Sequence, residues 1–171
     1  MTNRTPQNND RILAIAPSTR GFGFAVLEGE AILVDWGVTS VARGNKNAGT
    51  LKKTEAMIDL YKPAVLVLED ASARGSRRSR RIRRLTKRIH SMARAHKVTA
   101  VLISRDKVMQ SFFEDGDGTK HTIARILAVR FPEELGHRLP PKRKAYGSED
   151  YRMGIFYSLA LALTLRKHYA T

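Results

Sequence analysis

Glu69 ends an unbroken apolar run, Ala64-Val65-Leu66-Val67-Leu68, a place where an unpaired charge is costly to bury. Glu149 and Asp150 stand at the head of a second predicted element, a helix over Asp150 to Lys167 that is apolar from Met153 to Leu165. In a layered α/β domain the ends of central strands and the starts of facing helices converge on one patch. These acids, Asp70 beside Glu69, and the residue that follows Ile15 on the first strand therefore fall at one predicted site. Clustered carboxylates tolerate one another when Mg²⁺ or Mn²⁺ lies between them, because hard ions favour oxygen ligands. Two such ions about 4 Å apart activate a water and stabilise the leaving oxygen in phosphodiester cleavage. A plainer reading stands beside this one, with Glu69 paired to an arginine at a strand end and Asp150 capping a helix.

The second chemistry is cationic. The chain carries 31 Lys plus Arg against 16 Asp plus Glu, a net charge of +15. From Ala71 to Arg105 there is no carboxylate, and Arg74, Arg77, Arg78, Arg80, Arg81, Arg83, Arg84, Lys87 and Arg88 crowd into its first half. A solvated helix face usually interleaves both signs, so this segment predicts phosphate contact, with steep salt dependence and shape preference rather than base reading. Nucleic acid, DNA or RNA, is the expected partner, with a membrane surface a weaker second. Arg20 in a turn, and Lys142 and Arg143 in the loop Pro140 to Lys144, are further candidate contacts. Lys120 and His121 start a helix from which they could reach a phosphate. Phe112 and Phe113 offer either a wedge between bases or ordinary core.

The remaining composition sets bounds. A length of 171 residues with 42% hydrophobic residues suits one domain. The polar stretch 1–10 reads as a disordered tail without signal-peptide character, and 11–171 as the domain. With no cysteine, any metal must sit on carboxylates or histidines. The apolar stretch Met153 to Leu165 is shorter than the roughly 20 residues of a bilayer span, so it predicts a buried helix, and a cytoplasmic, nucleoid-associated protein is expected.

To position these groups, the pattern predicts strands at Ile12 to Ile15, Phe22 to Leu27 and Ala31 to Val38, joined by the turns Pro17 to Gly21 and Glu28 to Glu30. Leu51, Ile58 and Tyr61 keep helical spacing over Thr50 to Tyr61, stopped by Lys62-Pro63. The apolar run before Glu69 predicts a central strand. Ile82, Leu85, Ile89, Met92 and His96 form one narrow seam on a basic helix. A buried strand over Val98 to Ser104 follows, then helices over Lys107 to Glu114 and Lys120 to Phe131, the latter turning Ile123, Ile126, Leu127 and Phe131 inward. After a polar segment to Ser148, Asp150 to Lys167 is the last helix. This order predicts a mixed sheet with helices on both faces.

The run Ile12-Leu13-Ala14-Ile15-Ala16-Pro17-Ser18-Thr19-Arg20-Gly21-Phe22-Gly23-Phe24-Ala25-Val26 resembles the opening of the RuvC-like Holliday junction resolvases. Pro63 to Glu69 is similar to the strand that ends in their catalytic glutamate, and the basic helix to the one after it. Gly118-Thr119-Lys120 and the closing Asp150…Gly154-Ile155…Leu159-Ala160-Leu161-Ala162-Leu163 follow in the family's order. The resemblance covers about Arg11 to Leu165. It implies an RNase H-like fold with a mixed five-stranded sheet, three antiparallel strands then two parallel, flanked by helices. It also implies two-metal endonuclease chemistry on branched DNA in recombination and repair, performed by a homodimer. Carried over, Glu69 is the second acid, Asp150 the C-terminal acid and Lys120 the helix-start lysine.

Two positions depart from the pattern. The first-strand aspartate falls on Ala16, whose methyl cannot ligate a metal, and the last helix's second acid falls on Met153. Cleavage is therefore expected to be impaired, and Mg²⁺ or Mn²⁺ to bind weakly. Losing even 4 kcal/mol of transition-state stabilisation slows a reaction by roughly a thousandfold. Three accounts of Ala16 remain open: an engineered replacement, a natural member that binds without cutting, or a site rebuilt with Asp70 or Glu149.

Overall fold

A computed structural model describes residues 10–115, 118–144 and 147–169. Residues 1–9 of the expected tail at 1–10, and positions 116 and 117 between the predicted helices Lys107 to Glu114 and Lys120 to Phe131, lie outside the described residues.

Five strands form one sheet: β1 (Ile12–Pro17), β2 (Gly21–Glu28), β3 (Ile32–Ser40), β4 (Val65–Glu69) and β5 (Thr99–Ile103), in spatial order β3-β2-β1-β4-β5. The first three pair antiparallel, and β4 and β5 extend the sheet parallel to β1. This is the predicted mixed five-stranded sheet. The buried strand predicted at 98–104 is β5, and it lies at the edge of the sheet, with Thr99 and Leu102 exposed.

The helices divide between the two faces by side-chain parity. Leu13, Ile15, Phe22, Phe24, Val26, Leu66 and Leu68 point to one face, where α1 (Lys46–Tyr61) and α2 (Arg80–Ala95) cover them with Ile58, Ile82, Leu85, Ile89 and Ala93. Ile12, Ala14, Ala16, Ala25, Leu27, Val67 and Ile103 point to the other. There they meet α3 (Arg105–Phe112), α4 (Lys120–Arg130), the single turn α5 (Pro132–Leu135) and α6 (Met153–Tyr169). From Ile155 to Leu165 every residue of α6 is buried, as expected of a helix apolar all round. No helix of the described residues is long and apolar enough to cross a membrane.

Local capping explains where the boundaries moved. Asn45 accepts a hydrogen bond from the Ala48 amide, so α1 starts four residues before the predicted Thr50. Ser79 caps α2 through the Ile82 amide, which leaves Arg74, Arg77 and Arg78 in the loop ahead of the helix. Thr119 and Thr122 form a capping box, so α4 starts at Lys120 as predicted. In α4 the inward face is Ile123, Ala124, Leu127 and Ala128, while Ile126 is exposed. His96, placed on the α2 seam by spacing, instead ends the helix and meets Glu55 at 3.2 Å.

Candidate functional site

The parallel register pairs Ile15 with Leu68, so Ala16 and Glu69 are the next residues on neighbouring central strands. Both share the parity that faces α6. The start of α6 is pressed against this point by two glycines. A Cβ on Gly23, the antiparallel partner of Ala16, would lie only 2.2 Å from the Gly154 carbonyl carbon. The sequence-predicted meeting of position 16, the tip of β4 and the last helix is therefore present, and it depends on the absence of side chains at Gly23 and Gly154.

Glu69 is buried, and both carboxylate oxygens are occupied. Arg78 Nε donates to Oε2 at 2.6 Å, and the Tyr157 hydroxyl donates to Oε1. Burial alone would raise the Glu69 pKa, but the charge of Arg78 and the two hydrogen bonds outweigh it and hold the carboxyl below its ordinary value. Burial, and then the neighbouring Glu69 charge, push the Tyr157 hydroxyl well up, so it remains a donor. The plainer reading of Glu69, a strand-end acid paired to an arginine, describes this contact.

Lys120, the first residue of α4, stands 4.5 Å from the centre of the Tyr157 ring and 3.4 Å from Glu149 Oε1. Desolvation lowers its pKa; Glu149 and Glu69 oppose that, while Arg78 and Arg105 add to it. The site is thus a compact set in which Arg78, Lys120 and Arg105 accompany Glu69 and Glu149. Arg105 and Tyr157 were not singled out from sequence. For Tyr157 a signal existed, because a tyrosine amid an otherwise apolar helix must find a partner for its hydroxyl.

The other predicted acids are held by other partners. Asp150 precedes α6, which begins at Met153 rather than at Asp150. Its Oδ1 accepts from the Arg152 backbone amide at 2.9 Å and from Arg152 Nε at 3.0 Å, and its Oδ2 accepts from Arg152 Nη2 at 2.9 Å. Those bonds hold the Asp150 carboxyl below its usual range. Asp70 accepts from the Ser72 amide at 3.1 Å, a local turn. The donors present do not suit the divalent ions that the resemblance implies. Position 16 offers a methyl and position 153 a buried methionine; both Glu69 oxygens are engaged, by a guanidinium and a phenol, and both Asp150 oxygens by Arg152. Among the described residues no three His, Asp or Glu side chains group closely enough to hold an ion.

The arginine helix has an unexpected place. Because α2 packs on Leu66 and Leu68, it covers the sheet face opposite the Glu69 side chain. Only the loop before it reaches round the tip of β4, through Arg78. Arg80, Arg83, Arg84, Lys87 and Arg88 are exposed on α2, and Arg74 and Arg77 on the loop. Arg81 is committed internally: Nη2 donates to the Ser18 carbonyl and Nη1 to Asn47 Oδ1, each at 3.0 Å, stapling α2 to the β1–β2 turn and to α1. Arg20 is exposed in that turn, and Lys142 and Arg143 are exposed beyond Pro140, whose carbonyl meets His121 Nε2 at 3.1 Å. Phe112 and Phe113 are half-buried against the core, and Phe113 packs over Gly118.

No protein-family model matches the chain, and no curated protein matches it in sequence. Solved structures do. RuvC of Thermus thermophilus aligns with a TM-score of 0.62 at 15% identity, covering 90% of this chain and 92% of that one. The same protein in complex with a Holliday junction substrate gives a TM-score of 0.65 at 15% identity, covering 94% of each chain. The yeast mitochondrial Holliday junction resolvase gives 0.62 at 12% identity, covering 91% of this chain and 77% of that one. The chain has the RuvC-type, RNase H-like fold expected from its motifs.

Proposed function

We propose that this chain binds branched or otherwise structured DNA on a RuvC-type scaffold and does not cut it at the rate a two-metal site allows. The observation that carries this reading is the Glu69 carboxylate, held on both oxygens by Arg78 and Tyr157 beside the methyl of Ala16. That arrangement retains the position of the second acid and removes the chemistry it serves. Binding rests on the acid-free run of exposed cations that begins at Arg74 and continues along α2, with Arg20, Lys142 and Arg143 as outlying contacts. Backbone phosphates are the target, so selectivity comes from the spacing of duplex arms and not from base edges. The likeness to a RuvC structure that holds a Holliday junction substrate supports a four-way junction as the substrate class. A homodimer is the proposed assembly, since a two-fold pair would offer a matching cationic face to each half of such a junction.

Of the three accounts of Ala16, the natural non-cutting one is favoured. A single engineered substitution would leave Met153, Tyr157 and Arg78 unexplained, and Asp70 and Glu149 are drawn into other contacts. The test is fluorescence anisotropy on a four-way junction, a linear duplex of the same sequence and a matched RNA stem, over a series of salt concentrations. The expected result is tighter binding to the junction with a steep salt slope. Equal affinity for junction and linear duplex would refute shape preference, and tighter binding to RNA would reassign the partner.

A further inference from the structure

Arg78 has more donors than Glu69 uses. Its Nε is spent on Oε2, and its two terminal nitrogens make no hydrogen bond to the described residues. The side chain is 25% exposed, so those nitrogens lie close to solvent beside a buried carboxylate. We propose that Arg78 takes the place of a divalent ion, supplying the permanent counter-charge to Glu69 and presenting its free guanidinium edge to a backbone phosphate of the bound nucleic acid. The second half of this proposal rests on the DNA-binding reading above.

Three features around Arg78 fit an anion. A guanidinium matches phosphate oxygens through paired N–H groups, which a carboxylate already held at Nε does not block. Ser79, the next residue, caps α2, and the first turn of α2 contains no acid, so the helix N-terminus adds its partial positive charge at the same place. Arg78 and Arg105 each disfavour the charged form of Lys120, so three cations crowd round the site and an arriving anion relieves their repulsion. A divalent ion at Glu69 would have to displace a guanidinium seated at 2.6 Å, and Glu149, the other carboxylate of the set, is paired with Lys120.

The test uses the full chain. In the absence of DNA, free Mn²⁺ followed by electron paramagnetic resonance is expected to show no Glu69-dependent binding in the low millimolar range. Binding that Glu69→Gln removes would overturn the counter-charge assignment. Junction affinity is then compared in Mg²⁺ and in EDTA at matched ionic strength; equality is expected, and a Glu69-dependent gain with Mg²⁺ would contradict it. For the phosphate contact, Arg78→Gln is compared with the double variant Glu69→Gln/Arg78→Gln. The single variant is expected to melt lower, and the double to recover most of that loss because two neutral amides replace a charge pair. Both should lose about one unit of the log–log salt slope on the junction. Recovery of the full slope in the double variant would make Arg78 a structural residue only. A wild-type chain that binds no junction would overturn the proposed function and the phosphate contact together, whereas the Mn²⁺ measurement would still decide the counter-charge.

Discussion

Gly23→Ala is expected to be far more damaging than Gly154→Ala, although the two glycines touch each other. An alanine Cβ at position 23 would stand 2.2 Å from the Gly154 carbonyl carbon, 2.4 Å from its oxygen and 2.5 Å from its Cα. All three are backbone atoms of α6, and no rotamer change moves them aside. Relief requires β2 and the first turn of α6 to separate by about 1 Å, which is overpacking at the upper end of the usual 1–3 kcal/mol range. At roughly 2–4 °C per kcal/mol for a chain of this size, the melting temperature should fall by about 6–12 °C. At position 154 the new Cβ would meet Gly23 Cα at 3.0 Å and Gly23 N at 3.1 Å, so a shift of a few tenths of an ångström suffices. Alanine also suits a helix better than glycine by up to about 1 kcal/mol, which offsets much of that strain. Thermal melts followed by circular dichroism measure both variants. A Gly23→Ala melt equal to wild type, or a larger loss for Gly154→Ala, would refute the claim that backbone contact seats α6 on the sheet. Displacing α6 would also move Tyr157 away from Glu69, so the Gly23 variant should lose the protected state of that hydroxyl in a tyrosinate titration.

Three further outcomes follow from the geometry. Glu69 has a folded pKa below its unfolded value, so its contribution is present above about pH 4.3 and is lost as pH falls through the folded pKa; denaturant unfolding over that acid range should fall less steeply for Glu69→Gln than for wild type. Neutralising Arg84, Lys87 and Arg88 together to Gln should reduce the salt slope of junction binding by about 2–3 with little change in melting temperature; an unchanged slope would remove α2 from the interface. Ala16→Asp should lower stability in EDTA, because a second buried carboxylate joins Glu69, and should not by itself yield nicking, since Met153 and the Arg78 pair remain; Glu69-dependent nicking by this single variant would show a site one substitution from activity.

Much of this arrangement was legible in the sequence, and the parts that were not have physical reasons. The order of strands and the end of β4 at Glu69 follow from unbroken apolar runs bounded by turn residues. The face on which each helix packs does not, because Val65 to Leu68 is apolar at every position and so hides the parity that sends Leu66 and Leu68 toward α2 but Val67 and Glu69 toward α6. For the same reason no pattern shows that the basic helix lies on the side of the sheet opposite the Glu69 side chain. An edge strand such as β5 reads as buried when its residues are apolar and β-branched, since its exposure depends on whether another strand follows. The Glu69 partners were the hardest part to foresee. Arg78 was one arginine among many and was marked only for phosphate. Tyr157 needed the knowledge that α6 crosses β1 at Ala16, a contact set by Gly23 and Gly154 and by no periodic pattern.

The central claim is that this fold holds a junction and leaves it whole, and one experiment reaches it directly. An end-labelled four-way junction is incubated with excess protein and Mg²⁺ or Mn²⁺, then divided between a native and a denaturing gel. A shifted complex is expected on the first and intact strands on the second; strands nicked by wild type but not by Glu69→Gln would contradict binding without cleavage.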